Sequence, residues 1–584
     1  MARRSVFAAA LLLAAPAFAQ VPAQDSRNTF IPNTDTVFTP PTYNTLAEWQ
    51  ARREHLRKQI LSATGLLPMP VKTPLHPQIF GRIENQTYSI EKVLLETMPG
   101  YYLGGNLYRP LKPAPEGGFP AIASPHGHWN YGRLENTDVA SVPARCINLA
   151  RQGYVVFAYD MVGYDDTIQT PHDFATRRDN LWDFGPLPLQ LWNSIRVVDF
   201  LESLPGVNPR KIGATGASGG GTQTFLLAAV DDRVAFDAPV NMISTIMQGG
   251  SPCENTPGLR FDTFNVEFGA IMAPRPMMMV SATGDWTRNT PRVEYPAIKA
   301  IYELYDRAAN VDMVQIQAPH NYNKLSREAV YRFFGHKILG ETDDSKLTEK
   351  SYRVEKLGDM LALFNRKLPE NALDLEGVRR EWIERAREAA ARPTAEQSRE
   401  MLQLALGAEW PRRVIAEMPG ERFLLTREGR GDRVTGFWLH GQGTPIVFVH
   451  PDGAEAARKS PELAALVKQG RPIYVVEAFQ TGGAVAPRKR DDKMFLTFNR
   501  SDDAARVQDI LTAMAWLKPT SVELVGVGKA AIWCQFAAAV APVPVIFKSS
   551  LGSFQGTDEN FLDSFFVPGI QRAGGLAAAK ALTK

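Results

Sequence analysis

The sequence predicts an α/β protein: a mostly parallel sheet covered by helices on both faces, followed by a shorter second unit of the same kind. Three observations lead there. From Phe80 onward short apolar runs alternate with helical patterns. At residues 213–222 one such run passes through a glycine-rich turn straight into a helix. The carboxy-terminal third then repeats the pattern at an offset that carries Arg196 onto Arg506.

The chain opens with Arg3 and Arg4, the apolar stretch Val6 to Ala15, and Ala17-Phe18-Ala19. A charged start, a short apolar core and an A-x-A site make residues 1–19 a signal peptide. The stretch is too short to span a bilayer, so the expected location is exported, in a periplasm or outside the cell. The arginine pair also fits twin-arginine export. Residues 20–79 read as a helical and irregular segment, 80–340 as a catalytic α/β domain, 341–425 as a helical linker and 426–584 as a half-domain. Within the first domain, Tyr88–Glu96 and Tyr102–Tyr108 form an antiparallel pair at the sheet edge. Pro120–Ser124, Tyr154–Tyr159, Lys211–Ala214, Phe236–Asn241, Met277–Val280 and Val311–Ile316 are buried strands, and 192–204 and 223–230 are helices.

Composition narrows the function. Of 584 residues 44% are hydrophobic and 22% charged, as in globular proteins. A net charge of +3 from 65 basic and 62 acidic residues gives no basis for a nucleic-acid or anionic-surface partner. No other run of about 20 apolar residues exists to span a membrane. Three cysteines do not make a disulfide framework. Cys146 and Cys534 fall on helices as small buried apolar groups, and a Cys146–Cys253 bridge stays open. The nine histidines show no metal-ligand spacing, and neither His126 nor His128 has a third ligand nearby in sequence. No metal and no cofactor is expected, and the oligomeric state is left open.

The turn at 213–222 contains G-x-S-x-G centred on Ser218. A serine held between strand and helix, with glycines two places either side, is the nucleophile elbow of the α/β-hydrolase fold. The glycines admit a turn too sharp for a Cβ. A phosphate-binding loop would need the lysine or the G-x-G-x-x-G that this stretch lacks. Catalytic groups of such sheets gather beyond the strands' carboxyl ends, where Asp285 follows MMMVSATG and His320 follows VQIQAP. The order Ser218, Asp285, His320 is that of an α/β-hydrolase triad. The chemistry needs those types: imidazole takes the hydroxyl proton, and a carboxylate fixes its tautomer and stabilises the cation. Asp312 and Glu294 are the fallback acids. The oxyanion hole is assigned to the N–H of Gly219 with that of His128, or Gly127, in the loop Pro125–Trp129. Trp129, Trp182, Glu254, Arg260 and Trp286 are candidate substrate contacts. Residues 164–188 and 248–260 are two irregular walls of the site.

The elbow GASGGGTQTFLLAAVDDRV, the loop SPHGHW, APRP at 273–276, APHNYN around His320, and the earlier TGLLPMP and PGYYLGGNLYRP resemble exported bacterial α/β-hydrolases. Those are the acetyl xylan esterase-like and dienelactone hydrolase-like proteins. The resemblance covers roughly residues 40–340. It implies carboxylic-ester hydrolysis, often of acyl groups on plant polysaccharide, by a triad on Ser218, Asp285 and His320. Glucuronoyl esterases, a related group, place an arginine directly after the nucleophile; Gly219 stands there, which disfavours that substrate.

The second unit keeps the scaffold and loses the chemistry. Arg196, Asp199, Gly216 and Ala228-Ala229-Val230 reappear as Arg506, Asp509, Gly526 and Ala538-Ala539-Val540, but the nucleophile's place holds Gly528. The sequence stops at Lys584, before strands that would carry an acid and a histidine. Cys534, further along the helix, cannot replace the serine. The expected function is a serine esterase acting through an acyl-enzyme, with an ester substrate such as acylated plant polysaccharide. A dienelactone-type lactone hydrolase and a serine peptidase share the triad, although peptidases of this fold usually carry a large preceding domain. A non-catalytic glycan-binding protein is the alternative of a different class.

Overall fold

The computed structural model describes residues 21–518 and 520–583, so the signal segment expected at residues 1–19 lies outside the described residues. The chain divides into two compact units, one of residues 34–176 and 184–389, the other of residues up to 33, 177–183 and from 390 on.

The larger unit is built on nine strands: β1 (Gln78–Glu84), β2 (Tyr88–Met98), β3 (Tyr101–Pro110), β4 (Phe119–Pro125), β5 (Val155–Tyr159), β6 (Val207–Ala217), β7 (Val234–Val240), β8 (Met277–Gly284) and β9 (Val311–Pro319). Their order is β1-β2-β3-β5-β4-β6-β7-β8-β9. β1, β2 and β3 run antiparallel, β3 meets β5 antiparallel, and every later pairing is parallel. The expected edge pair is therefore one strand inside the edge. β1 escaped the sequence reading because it is half-exposed and carries no buried run.

Both faces of this sheet are covered, and β5 shows how. Val155, Phe157 and Tyr159 enter one hydrophobic cluster while Val156 and Ala158 enter the other. Side chains alternate across a strand, so a strand buried on both faces must be apolar throughout. The helix Leu46–Ala63 starts at Thr45, whose hydroxyl accepts from Glu48 N while the Glu48 carboxylate returns a bond to the Thr45 N–H. It buries Trp49, Leu56 and Ile60 completely, each contributing on the order of 2 kcal/mol of apolar burial. The helices Pro186–Ser203 and Gly219–Val230 flank β6 and hold the elbow between them.

The smaller unit has seven strands: β10 (Val414–Glu417), β11 (Arg422–Arg427), β12 (Val434–Leu439), β13 (Ile446–Val449), β14 (Ile473–Glu477), β15 (Val522–Gly526) and β16 (Val545–Phe547). Their order, β10-β11-β12-β14-β13-β15-β16, repeats that of the first seven strands of the larger sheet. Phe437, Ile446, Phe448, Ile473 and Val475 form a core on one side. β10 and part of β11 lie where the sequence suggested helix up to residue 425; β10 is largely exposed, and its charged neighbours mask the period of two. Residues 357–406 do contain the helices Leu375–Ala389 and Ala395–Leu406.

Repeated residues do not keep repeated partners. Arg196 pairs with Asp199 one turn along its helix, whereas Arg506 pairs with Asp503 at 2.8 Å. Asp509 instead receives Arg27 Nη1 at 2.6 Å, and burial pushes its carboxyl up to about 7. In this unit Arg27 from the amino-terminal residues supplies the cation, whereas Asp199 takes Arg196, Lys72 and Arg233.

Candidate active site

The elbow is strained in the manner its glycines foretold. Ser218 sits at φ 59°, ψ −127°, a region costly for any residue with a Cβ. Gly216 and Gly220 make the turn possible: a Cβ on Gly216 would lie 2.6 Å from the carbonyl oxygens of Gly220 and Pro125, and one on Gly220 2.8 Å from the His126 backbone. Ser218 N donates to Val240 O at 3.1 Å, and Thr222 N donates back to Ser218 O at 3.0 Å. The serine is therefore tied to the exit of β7 and to the first turn of its own helix.

Asp285 and His320 leave neighbouring strands, β8 and β9, and meet. His320 Nδ1 lies 2.8 Å from Asp285 Oδ2. The other carboxylate oxygen accepts from Thr287 N at 2.7 Å and Thr287 Oγ1 at 2.5 Å. The carboxylate is buried, and its aim is fixed by a residue the sequence reading did not single out. His320 Nε2 is buried and has no hydrogen-bond partner. An Nδ1–H donated to the carboxylate leaves Nε2 with its lone pair, ready to accept a proton. The Trp286 ring lies 4.3 Å from that of His320 and the Trp129 ring 6.1 Å from it. Trp286 Nε1 donates to Asn241 O at 3.0 Å, and Asn241 Nδ2 to Asn321 O at 2.8 Å. Asn241, just after β7, so joins the strand exit that anchors Ser218 N to the histidine's loop.

The loop after β4 lies against the elbow. A Cβ on Gly127 would come within 3.1 Å of Ser218 Cβ and within 3.1 Å of the Trp129 ring. His126 anchors this loop: its Nε2 accepts from Met161 N at 2.9 Å and its Nδ1–H donates to Gly127 O at 2.7 Å. Burial pushes His126 down to about 3, so it is neutral. His128 packs over Gly219, where an added Cβ would lie 2.7 Å from His128 Cε1.

Several expected contacts prove to be internal. Glu254 is buried and accepts from Thr222 Oγ1 (3.2 Å), Gly250 N (3.0 Å) and Ser251 N (3.2 Å). Arg260 is equally buried and donates to Glu254 O, Asn255 Oδ1 and Asn265 Oδ1. Both hold the second wall together rather than facing a ligand, because a buried charge must be partnered. Trp182 belongs to the smaller unit, where it is buried and Nε1 donates to Asp558 at 3.1 Å. Of the fallback acids, Glu294 is engaged by Thr245 N and Oγ1, and Asp312 is exposed and bonds Met313 N. Neither pairs with His320 in the way Asp285 does.

Two residues that the sequence did not place beside His128 enter the neighbourhood. His128 Nε2 lies 3.1 Å from His172 Nε2 and 3.0 Å from Cys253 Sγ. The third ligand that the sequence did not place near His128 is thus present in space, supplied by chain 44 and 125 residues away. Cys146 and Cys253 are both free: Cys146 lies 3.5 Å from Ser124 Oγ, and Cys253 belongs to this histidine group. His126, Asp160 and Asp165 also converge, but Arg133 already takes both carboxylates.

No protein-family model matches the chain. In sequence it is 27% identical over 194 residues to YtaP of Bacillus subtilis (strain 168), a protein named as a hydrolase. That match covers 31% of this chain and 62% of YtaP, so the chain spans about three fifths of that relative's length. It is 24% identical over 413 residues to 4-O-methyl-glucuronoyl methylesterase 1 of Wolfiporia cocos (strain MD-104), covering 59% of this chain and 93% of that one. Among solved structures, methylesterase BT1017 aligns at 29% identity and a TM-score of 0.48, over 62% of this chain and 77% of that one. The chain is similar to hydrolases and esterases, the group its motifs resemble.

Proposed function

We propose that this chain is a serine carboxylic-ester hydrolase whose substrate is an ester-decorated carbohydrate. The observation that carries the reading is the Asp285–His320 pair at 2.8 Å with His320 Nε2 buried and unpartnered, beyond the carboxyl ends of the strands, where the strained Ser218 also emerges. In this reading Ser218 Oγ attacks the ester carbonyl as His320 Nε2 takes its proton. Asp285, locked by Thr287, keeps the imidazole in its acceptor tautomer and stabilises the imidazolium. The negative oxygen is held by the N–H of Gly219 and that of His128 or Gly127. His320 returns the proton to the leaving alkoxide, and water then repeats the sequence on the acyl-enzyme. Trp129 and Trp286 flank the imidazole and keep water from its face.

The name of the Wolfiporia cocos relative supports an ester of a carbohydrate, there a methyl ester of a sugar acid, and the motif resemblance adds acyl esters of sugar hydroxyls. Gly219 in place of an arginine argues against glucuronoyl esters, and the broader acyl class is the reading we favour. The smaller unit we take as a copy of the same fold that has lost its nucleophile. The identical strand order and the shared turn at Gly526 support this. Residues 1–19 we take as an export signal, and no helix among the described residues is long and apolar enough to cross a membrane.

The test is release of p-nitrophenol from p-nitrophenyl acetate, followed by a panel of acetylated xylan and of feruloylated and methyl-esterified glycans. Turnover by the wild type and none by Ser218→Ala is expected. Equal, negligible turnover by both would make the chain a binding protein instead.

A further inference from the structure

We propose that His128 Nε2, His172 Nε2 and Cys253 Sγ form a binding site for a borderline-soft divalent cation, of which Zn²⁺ is the type. The three ligand atoms lie within 4.8 Å of one another. His128 Nε2 is 3.1 Å from His172 Nε2 and 3.0 Å from Cys253 Sγ. A tetrahedral zinc with about 2.0 Å to nitrogen and about 2.3 Å to sulfur separates its ligands by roughly 3.3–3.5 Å. The two distances from His128 Nε2 are a few tenths of an ångström short of that separation, and the third lies within 4.8 Å.

The surroundings favour a cation over a simple hydrogen-bonded cluster. His172 Nδ1–H donates to Val162 O at 2.7 Å, which leaves Nε2 as a lone pair aimed into the group. This is the outer hydrogen bond that orients metal-bound histidines. His128 Nε2 then faces two neighbours at about 3 Å and owns at most one hydrogen, so it cannot satisfy both. Ser251 Oγ lies 3.4 Å from His172 Nε2 and 3.5 Å from Cys253 Sγ, a further oxygen beside the group.

Charge points the same way. Glu254 follows Cys253 directly, is 4% exposed, and its carboxylate accepts from a hydroxyl and two peptide N–H groups. Arg260 reaches the Glu254 peptide oxygen and the side chains of Asn255 and Asn265. Binding would release the Cys253 thiol proton to solvent, and a thiolate beside the Glu254 carboxylate balances a 2+ ion. A bound cation favours the thiolate and is indifferent to a neutral imidazole.

The three ligands come from three strand exits: His128 after β4, His172 after β5 and Cys253 after β7. A metal there straps the loop over Gly219 to both irregular walls. Its place is structural, and it does not depend on the ester chemistry.

The test uses the full chain, purified without a polyhistidine tag, stripped with a chelator under reducing conditions and titrated with Co²⁺ and Zn²⁺. Expected is saturation at one ion per chain, with the visible bands of tetrahedral Co²⁺ and a near-ultraviolet thiolate-to-cobalt band. Cys253→Ser should abolish the thiolate band and weaken binding about 100-fold. His172→Gln should weaken binding comparably while leaving the thiolate in place, and circular dichroism checks that both fold. Ser218→Ala should titrate like the wild type, so loss of esterase activity and loss of metal binding are separate results. No saturable binding, or an unchanged thiolate band in Cys253→Ser, overturns the proposal.

Discussion

The turn at Ser218 and the turn at Gly528 have nearly the same backbone and opposite prospects. Ser218 has φ 59° and Gly528 φ 51°. A Cβ on Gly216 would meet the carbonyl four residues on at 2.6 Å, and so would one on Gly526. Around the first turn everything is crowded: Gly219 lies under His128 and Met161, and Gly127 under Trp129. Around Gly528 a Cβ would find nothing within 4 Å. The larger sheet continues into β8 and β9, whose exits bear Asp285 and His320, while the smaller sheet closes at β16. An elbow is therefore only a way to present a side chain; what surrounds it decides whether that side chain can react.

The largest expected effect tests this contrast directly. Ser218→Ala should lower kcat/KM on p-nitrophenyl acetate by a factor of about 10⁴ or more, and adding Gly528→Ser to that variant should restore nothing. Turnover regained by the double variant would break the comparison. Next, Asp285→Asn should cost about 10⁴ in kcat with little change in KM, since the histidine tautomer rather than binding is disturbed. Gly219→Ala places a Cβ 2.5 Å from Met161 Cε and 2.7 Å from His128 Cε1, displacing the loop over the elbow. A loss of about 10² in kcat is expected from one misplaced oxyanion donor. Gly528→Ala meets no atoms, so it should cost only about 1 kcal/mol of backbone strain in denaturant unfolding and leave turnover unchanged.

A further effect is one of pH. His126 is held neutral, from an ordinary 6.5 down to about 3. Between those values the unfolded chain binds a proton that the folded chain refuses. Its contribution is whole above pH 6.5 and is lost as pH falls, by at most about 1.4 kcal/mol per unit. The loss should fall on the nine-stranded unit, read by hydrogen exchange of β4 and β5, and His126→Asn should flatten the acid slope.

The strands of the larger sheet were legible because most of them are buried on both faces, so their apolar runs are continuous. β1 and β10 were not, since half-exposed edge strands leave only a weak alternation. The turn at Ser218 and the strand-exit positions of Asp285 and His320 were legible because an elbow and two strand exits are local patterns. Glu254 and Arg260 read as candidate substrate contacts because their polarity was visible and their burial was not. Thr287 and Asn241 carried no signal at all, as a side chain that orients another is defined by its direction in space.

The amino-acid order by itself determined the alternation of elements, the sharp serine turn, the order in which Ser218, Asp285 and His320 follow one another, and the glycine at the matching place in the second unit. These follow from periodicity and backbone sterics, which act over a few neighbouring residues. Only the tertiary structure decided that a threonine locks the acid, that Trp182 serves the other unit, and that His128, His172 and Cys253 converge. Such meetings depend on loop ends brought together by a packed sheet, and no spacing along the chain encodes them.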